Sequence, residues 1–105
     1  MTSMDSSRQC RLYLAALLAR GFSIRELARG LHVGRRLLKR VWFSLDYLPQ
    51  TAGINSELGG FIAAHPGLPT PRELSEEGLA LERRMGSAVW GDPDQRDAWI
   101  AANSA

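Results

Sequence analysis

Apolar residues recur at three- and four-residue intervals along most of the chain. No stretch shows the two-residue alternation of a half-buried strand. The first predicted helix follows Asp5, Ser6 and Ser7, all good N-cap types, and runs through Leu12, Ala15, Ala16 and Ala19 on one face. Leu14, Leu17 and Leu18 widen that face, and Arg20-Gly21 supplies a basic last turn and a C-cap glycine. Ser23 with Glu26 forms an S-x-x-E capping box for a short second helix carrying Leu27, Ala28 and Leu31. A third helix starts near Gly34 and continues to about Tyr47, where Leu48-Pro49 stops it.

Beyond Pro49, residues 50–55 read as a linker, and 56–64 as a weak helix spoiled by Gly59-Gly60. His65-Pro-Gly-Leu-Pro69 reads as a turn or extended segment. Thr70-Pro71-Arg72-Glu73 is a helix start with N-cap, proline at the first position and box-closing glutamate; that helix is expected to reach about Met85, with Gly78 costing it roughly 1 kcal/mol against alanine. Asp92-Pro93-Asp94-Gln95 repeats this start for a last helix through Trp99 and Ile100. The expected fold is all-α, with residues 1–49 as one region and 50–105 as a helical region that completes the core or pairs two copies.

Composition narrows the chemistry. The chain has 105 residues, 45% hydrophobic and 23% charged, which is globular rather than disordered. One cysteine (Cys10) and two histidines (His32, His65) cannot supply a four-ligand zinc site or an internal disulfide, and no cofactor is expected. No P-loop, dinucleotide fingerprint or metalloprotease motif occurs, so no enzyme is expected. The longest apolar run, Tyr13 to Ala19, is far shorter than the roughly 20 residues a membrane span needs, and no secretory leader is recognisable at the start; the expected setting is reduced and cytoplasmic.

Charge changes the picture more. The net +2 divides into +6 over residues 1–52, with nine basic residues against three acidic, and −4 over residues 53–105, with four arginines against eight carboxylates. A near-neutral sum thus conceals a basic face of the kind that binds nucleic acid, although an Arg-rich solvated surface would have the same composition.

The basic residues concentrate around a recognisable pattern, Ile24-Arg-Glu-Leu-Ala-Arg-Gly-Leu-His-Val-Gly-Arg-Arg-Leu-Leu-Lys-Arg-Val-Trp-Phe43. Two short helices that cross steeply need a small residue at the close approach, here Ala28, facing Leu38. Apolar residues must seal the crossing, and Leu27, Leu31, Val33, Leu38 and Val41 fall in those places. The stretch resembles the helix-turn-helix of bacterial and phage repressors and of resolvase-like DNA-binding domains. It covers about 20 residues, nearer 40 with the preceding helix as support. One position departs from that pattern: the turn residue that is usually glycine, chosen for positive φ, is His32.

On a helical wheel, Leu37, Leu38, Val41, Trp42 and Leu45 share one side of the third helix, and Arg35, Arg36, Lys39, Arg40 and Phe43 the other. The resemblance implies that helix 34–45 enters the major groove of double-stranded DNA. Gly34, Arg35 and Arg36 would then lie nearest the bases, Lys39 and Arg40 on bases or phosphates, and basic residues of the first and second helices, Arg25 among them, on phosphate. Phe43 would touch thymine methyls or pack on the C-terminal half. The implied protein is a transcriptional regulator of a bacterium, phage or mobile element, acting as a homodimer. Trp90, Val89, Trp99 and Ile100, set away from the basic helix, are candidates for the contact between copies. The alternative is an adaptor that binds a transcription factor or RNA polymerase subunit without reading DNA.

Overall fold

The computed structural model describes residues 3–44 and 51–104. Within them the chain forms seven helices: α1 (Ser3–Ala19), α2 (Ile24–Leu31), α3 (Arg35–Phe43), α4 (Thr51–Ala64), α5 (Pro71–Met85), α6 (Ser87–Trp90) and α7 (Pro93–Ala102). No strand occurs among the described residues, and the protein is all-α. None of these helices is long and apolar enough to cross a membrane.

The capping chemistry sets most boundaries. Ser23 and Thr70 each close a reciprocal capping box, with Glu26 and Glu73 respectively, and Pro71 occupies the first turn of α5. The Asp92 carboxylate accepts from the backbone N–H groups of Asp94 and Gln95 and so starts α7. Three boundaries differ from expectation. α1 begins at Ser3, so Asp5, Ser6 and Ser7 lie inside it rather than capping it. α3 stops at Phe43, where Ser44 turns extended at φ −86°, ψ 145°; Leu45, Tyr47 and the Leu48-Pro49 stop lie outside the described residues. The expected linker is helix from Thr51, because Thr51, Ile54, Leu58 and Ile62 form one buried stripe that pulls the segment onto the core despite Gly59-Gly60.

The core has a central post. Six consecutive side chains of α1, Leu12 through Leu17, are buried, so this helix is covered on all sides rather than along one stripe. α5 and α4 provide most of the cover, with α3 and α7 completing it. Residues from both halves of the sequence belong to one cluster, in which Cys10, Leu14 and Leu17 join Leu27, Leu38, Trp42, Leu58, Leu74 and Ile100. The Cys10 thiol is fully enclosed, and burial pushes its pKa up to about 12, leaving it protonated and unreactive at neutral pH.

Gly78 explains how α5 lies so close to α1. A Cβ at this position would stand 2.7 Å from the carbonyl carbon of Leu12, inside the backbone of the neighbouring helix. The residue that weakens α5 locally is therefore what permits its close approach to α1. The flanks are fixed by Arg8 to Glu82 at 2.6 Å, by Gln9 to Ser75 at 2.8 Å, and by a two-pronged Arg20–Glu77 pair at 2.6 and 3.0 Å.

Gly78→Ala should lower stability by about 1–3 kcal/mol, the overpacking exceeding the roughly 1 kcal/mol that alanine returns to a helix. Gly60→Ala, where a Cβ meets nothing within 4 Å, should raise stability by about 0.5–1 kcal/mol. Denaturant unfolding of both variants checks the contrast, and equal effects of one sign would contradict the close-approach argument.

Candidate nucleic-acid interface

The α2–turn–α3 unit is built by local bonds before any packing. Ser23 Oγ accepts from Glu26 N–H at 3.0 Å while Glu26 Oε1 accepts from Ser23 N–H at 2.9 Å. At the other end His32 adopts the left-handed conformation, φ 58°, ψ 38°. Its N–H bonds to the Arg29 carbonyl at 3.3 Å and the Val33 N–H to the Ala28 carbonyl at 3.1 Å, the paired arrangement of a Schellman cap. His32 is exposed and does the conformational work of the glycine expected there. Leu27, Ala28 and Leu31 of α2 and Leu38, Val41 and Trp42 of α3 are buried, and Val33 is half-buried against them.

The polar side of α3 faces out as its periodicity requires. Arg35, Arg36, Lys39 and Arg40 are exposed, as are Arg25 and Arg29 of α2. None of these six forms an ion pair among the described residues. Residues 24–44 hold these six cations against Glu26 alone, a net +5 on a chain whose total is +2. The arginines of α1 are differently employed. Arg8 and Arg20 are paired with α5 carboxylates, and Arg11 donates to the Ser44 carbonyl at 3.4 Å beyond the end of α3. Pairing thus draws Arg8 of α1 and Arg20 at its end away from the basic face. α2 and α3 together carry six exposed cations without an ion pair among the described residues, against Arg72, Arg83 and Arg84 on α5.

Arg35 and Arg36 sit against the helix dipole. The first turn of α3 contains no acidic residue, and its N-cap, Gly34, has no side chain to accept from the turn's N–H groups. Two cations at the positive end of a helix oppose its stability. Gly34 itself has φ −67°, ψ 136°, open to any residue, and a Cβ there would meet nothing within 4 Å. The turn is unshielded and uncrowded, and anionic groups can reach both its backbone and its guanidinium groups.

Phe43 is half-buried and packed against the core, with the Lys39 ammonium 5.9 Å from its ring centre. It forms part of an open groove of about 560 Å³ lined by Ile24, Arg35, Arg36, Lys39, Phe43 and Asp97. All of the expected site residues on α3 except Arg40 border this groove or, for Gly34, precede it in the chain. Arg25 and Arg40 are exposed outside it.

Asp97 comes from the acidic half, which lies against the basic helix and not apart from it. The Trp42 indole donates to Asp97 Oδ1 at 2.9 Å, and Trp90 meets the Trp42 ring edge-on at 6.5 Å. Arg96, only 1% exposed, lies against both indoles, its guanidinium 4.6 Å from the Trp42 ring centre and 5.2 Å from that of Trp90. Arg96 donates to the Trp90 carbonyl at 2.7 Å and to the Trp42 carbonyl. Burial, with Arg11 nearby, lowers its pKa to about 10 against the pull of Asp97 and Asp92, so it remains charged at neutral pH. Ile100 is buried, and Val89, Trp90 and Trp99 pack on the same core, so the chain's own fold uses the side chains expected to join two copies.

The sequence reading did not include Arg96 or Asp97. A signal for Arg96 was present: it stands three and four residues before Trp99 and Ile100, on the apolar face of α7, where a solvated arginine does not belong.

Two variants check the turn geometry. Ala28→Leu, placing a large side chain at a position only 4% exposed, should cost about 1–3 kcal/mol. His32→Gly should stabilise by up to about 1 kcal/mol by relieving the left-handed strain. Thermal melts read both, and an unchanged melting temperature for Ala28→Leu would mean that the helices do not meet at that residue.

No family model, curated protein or solved structure matches this chain.

Proposed function

We propose that the protein binds double-stranded DNA in a sequence-specific manner through α2, the His32–Gly34 turn and α3, and that it acts as a transcriptional regulator of a bacterium, phage or mobile element. The observation that carries this reading is the set of six exposed cations on α2 and α3, none in an ion pair among the described residues, while Arg8, Arg11 and Arg20 on and at the end of the supporting helix are bonded within the fold. A solvated surface has no need to place Arg35 and Arg36 where they oppose the dipole of α3; a surface that receives phosphate or guanine does.

In the proposed complex α3 enters the major groove, which is about 12 Å wide and admits one helix. Arg35 and Arg36 present planar forked donors suited to guanine O6 and N7 together. Lys39 and Arg40 lie one turn later, and Arg25 and Arg29 of α2 neutralise the flanking phosphates. Gly34 lets the backbone approach closely. A single module of this size reads few base pairs, so the proposal includes two copies on half-sites about one helical turn apart.

Mobility shifts with duplex genomic fragments at two salt concentrations test the reading. Affinity should fall steeply with salt, each phosphate contact adding about 0.9 to the log–log slope. Arg35→Ala and Arg36→Ala should each cost roughly 1–3 kcal/mol at the preferred site and flatten sequence preference, whereas Arg25→Ala should weaken all sequences by one common factor. No duplex complex at low salt would overturn the proposal and favour an adaptor that binds a transcription factor or polymerase subunit.

A further inference from the structure

The cationic groove along α3 contains one carboxylate, and that carboxylate also holds the helix. Asp97 borders the groove together with Arg35, Arg36 and Lys39, while its Oδ1 accepts the Trp42 indole N–H at 2.9 Å. Trp42 lies in the last turn of α3, fully buried, with its carbonyl and ring engaged by Arg96 of the same α7 helix. Rotation of α3 about its axis would have to break the Asp97 bond, because the indole N–H is a single donor with a fixed direction. The direction in which Arg35, Arg36 and Lys39 project is therefore fixed from a point more than fifty residues away in sequence.

The same carboxylate affects what the groove attracts. Three cations without ion pairs among the described residues would hold any phosphate backbone regardless of sequence. A negative charge beside them opposes that indiscriminate attraction. It leaves directional hydrogen bonds to base edges, which only the right sequence supplies, as a larger share of the binding.

We propose that Asp97 is a specificity-determining residue of this interface, orienting α3 through Trp42 and weakening non-specific phosphate binding through its charge. This inference rests on the DNA-binding reading of the α3 face.

The two actions separate by substitution. Asp97→Asn retains an oxygen that accepts from the indole but removes the charge; Asp97→Ala removes both. Trp42→Phe removes the donor and leaves the carboxylate, and it serves as a second probe of the bond should Asp97→Ala fold poorly. For Asp97→Asn, affinity for an unrelated duplex at 0.1 M salt should rise about threefold to tenfold, with little change at the preferred site and with the amide spectrum of residues 35–43 preserved. For Asp97→Ala, non-specific affinity should rise similarly, but preferred-site affinity should fall and the amide resonances of α3 should move. Trp42→Phe should move the same resonances without raising non-specific affinity.

Equal α3 spectra for the alanine, asparagine and wild-type proteins would overturn the positioning role. Unchanged non-specific affinity in Asp97→Asn would overturn the electrostatic one. A wild-type protein that forms no duplex complex at low salt would instead overturn the DNA reading and the electrostatic role with it, while spectra of the free variants would still decide whether Asp97 orients α3.

Discussion

The fold depends on covering α1 from every side. A helix with six successive buried residues cannot rest on a single partner face, and the chain answers with helices drawn from both sequence halves. The approach of α5 is possible only because Gly78 has no side chain against Leu12. In a chain of 105 residues, which buries a modest fraction of its surface, no helix can be spared from this task. The segment after Pro49 is for that reason part of one core, and its position against α3 follows from the need to enclose the post.

Enclosure also sorts the charges. The carboxylates of α5 that meet α1 pair with Arg8 and Arg20, and Arg11 turns to the end of α3. These partly exposed pairs add little to stability, but they neutralise α1 and α5 toward each other. The six cations of α2 and α3 form no ion pair among the described residues and have only Glu26 on α2 and Asp97 of α7 beside them, so that this surface carries a dense group of unpaired positive charge. The α1–α5 packing thus engages Arg8 and Arg20 with carboxylates and leaves the cations of α2 and α3 outward.

The parts of this structure legible in the sequence are those fixed within a few residues. Ser23 with Glu26, Thr70 with Glu73 and Asp92 with Pro93 signal helix starts because a cap is a bond between near neighbours, and all three occur. The left-handed residue at His32 was readable for the same reason. The outward cations Arg35, Arg36, Lys39 and Arg40 and the inward Leu38, Val41 and Trp42 of α3 followed from periodicity alone, whereas Phe43, on the cationic side of the wheel, packs against the core. What escaped is set at long range. Residues 51–55 look like a linker until the core accepts Thr51 and Ile54, and Gly78 looks like a defect until α1 approaches it. The run Tyr13–Ala19, used to exclude a membrane span, was also the mark of a helix buried all round. Asp97 was hidden because nothing local distinguishes a carboxylate that meets an indole fifty-five positions away, whereas Arg96 was signalled by its place on the apolar face of α7.

Arg96 shows why that long-range contact is more than filler. A buried guanidinium is expensive, and this one has no carboxylate bonded to it; two carbonyls and two indole faces hold it, while its Nε finds no partner. A core built for stability alone would place an apolar side chain between Trp42 and Trp90. What the arginine adds is direction: two donors in a rigid fork tie the Trp42 carbonyl to that of Trp90, as the adjacent Asp97 fixes the Trp42 indole. Both residues act on the last turn of α3, whose first turn bears two arginines set against the helix dipole. A helix that is strained at one end and clamped at the other has its rotation and its reach defined by the fold. That is the condition a base-reading helix must meet before its side chains can discriminate anything.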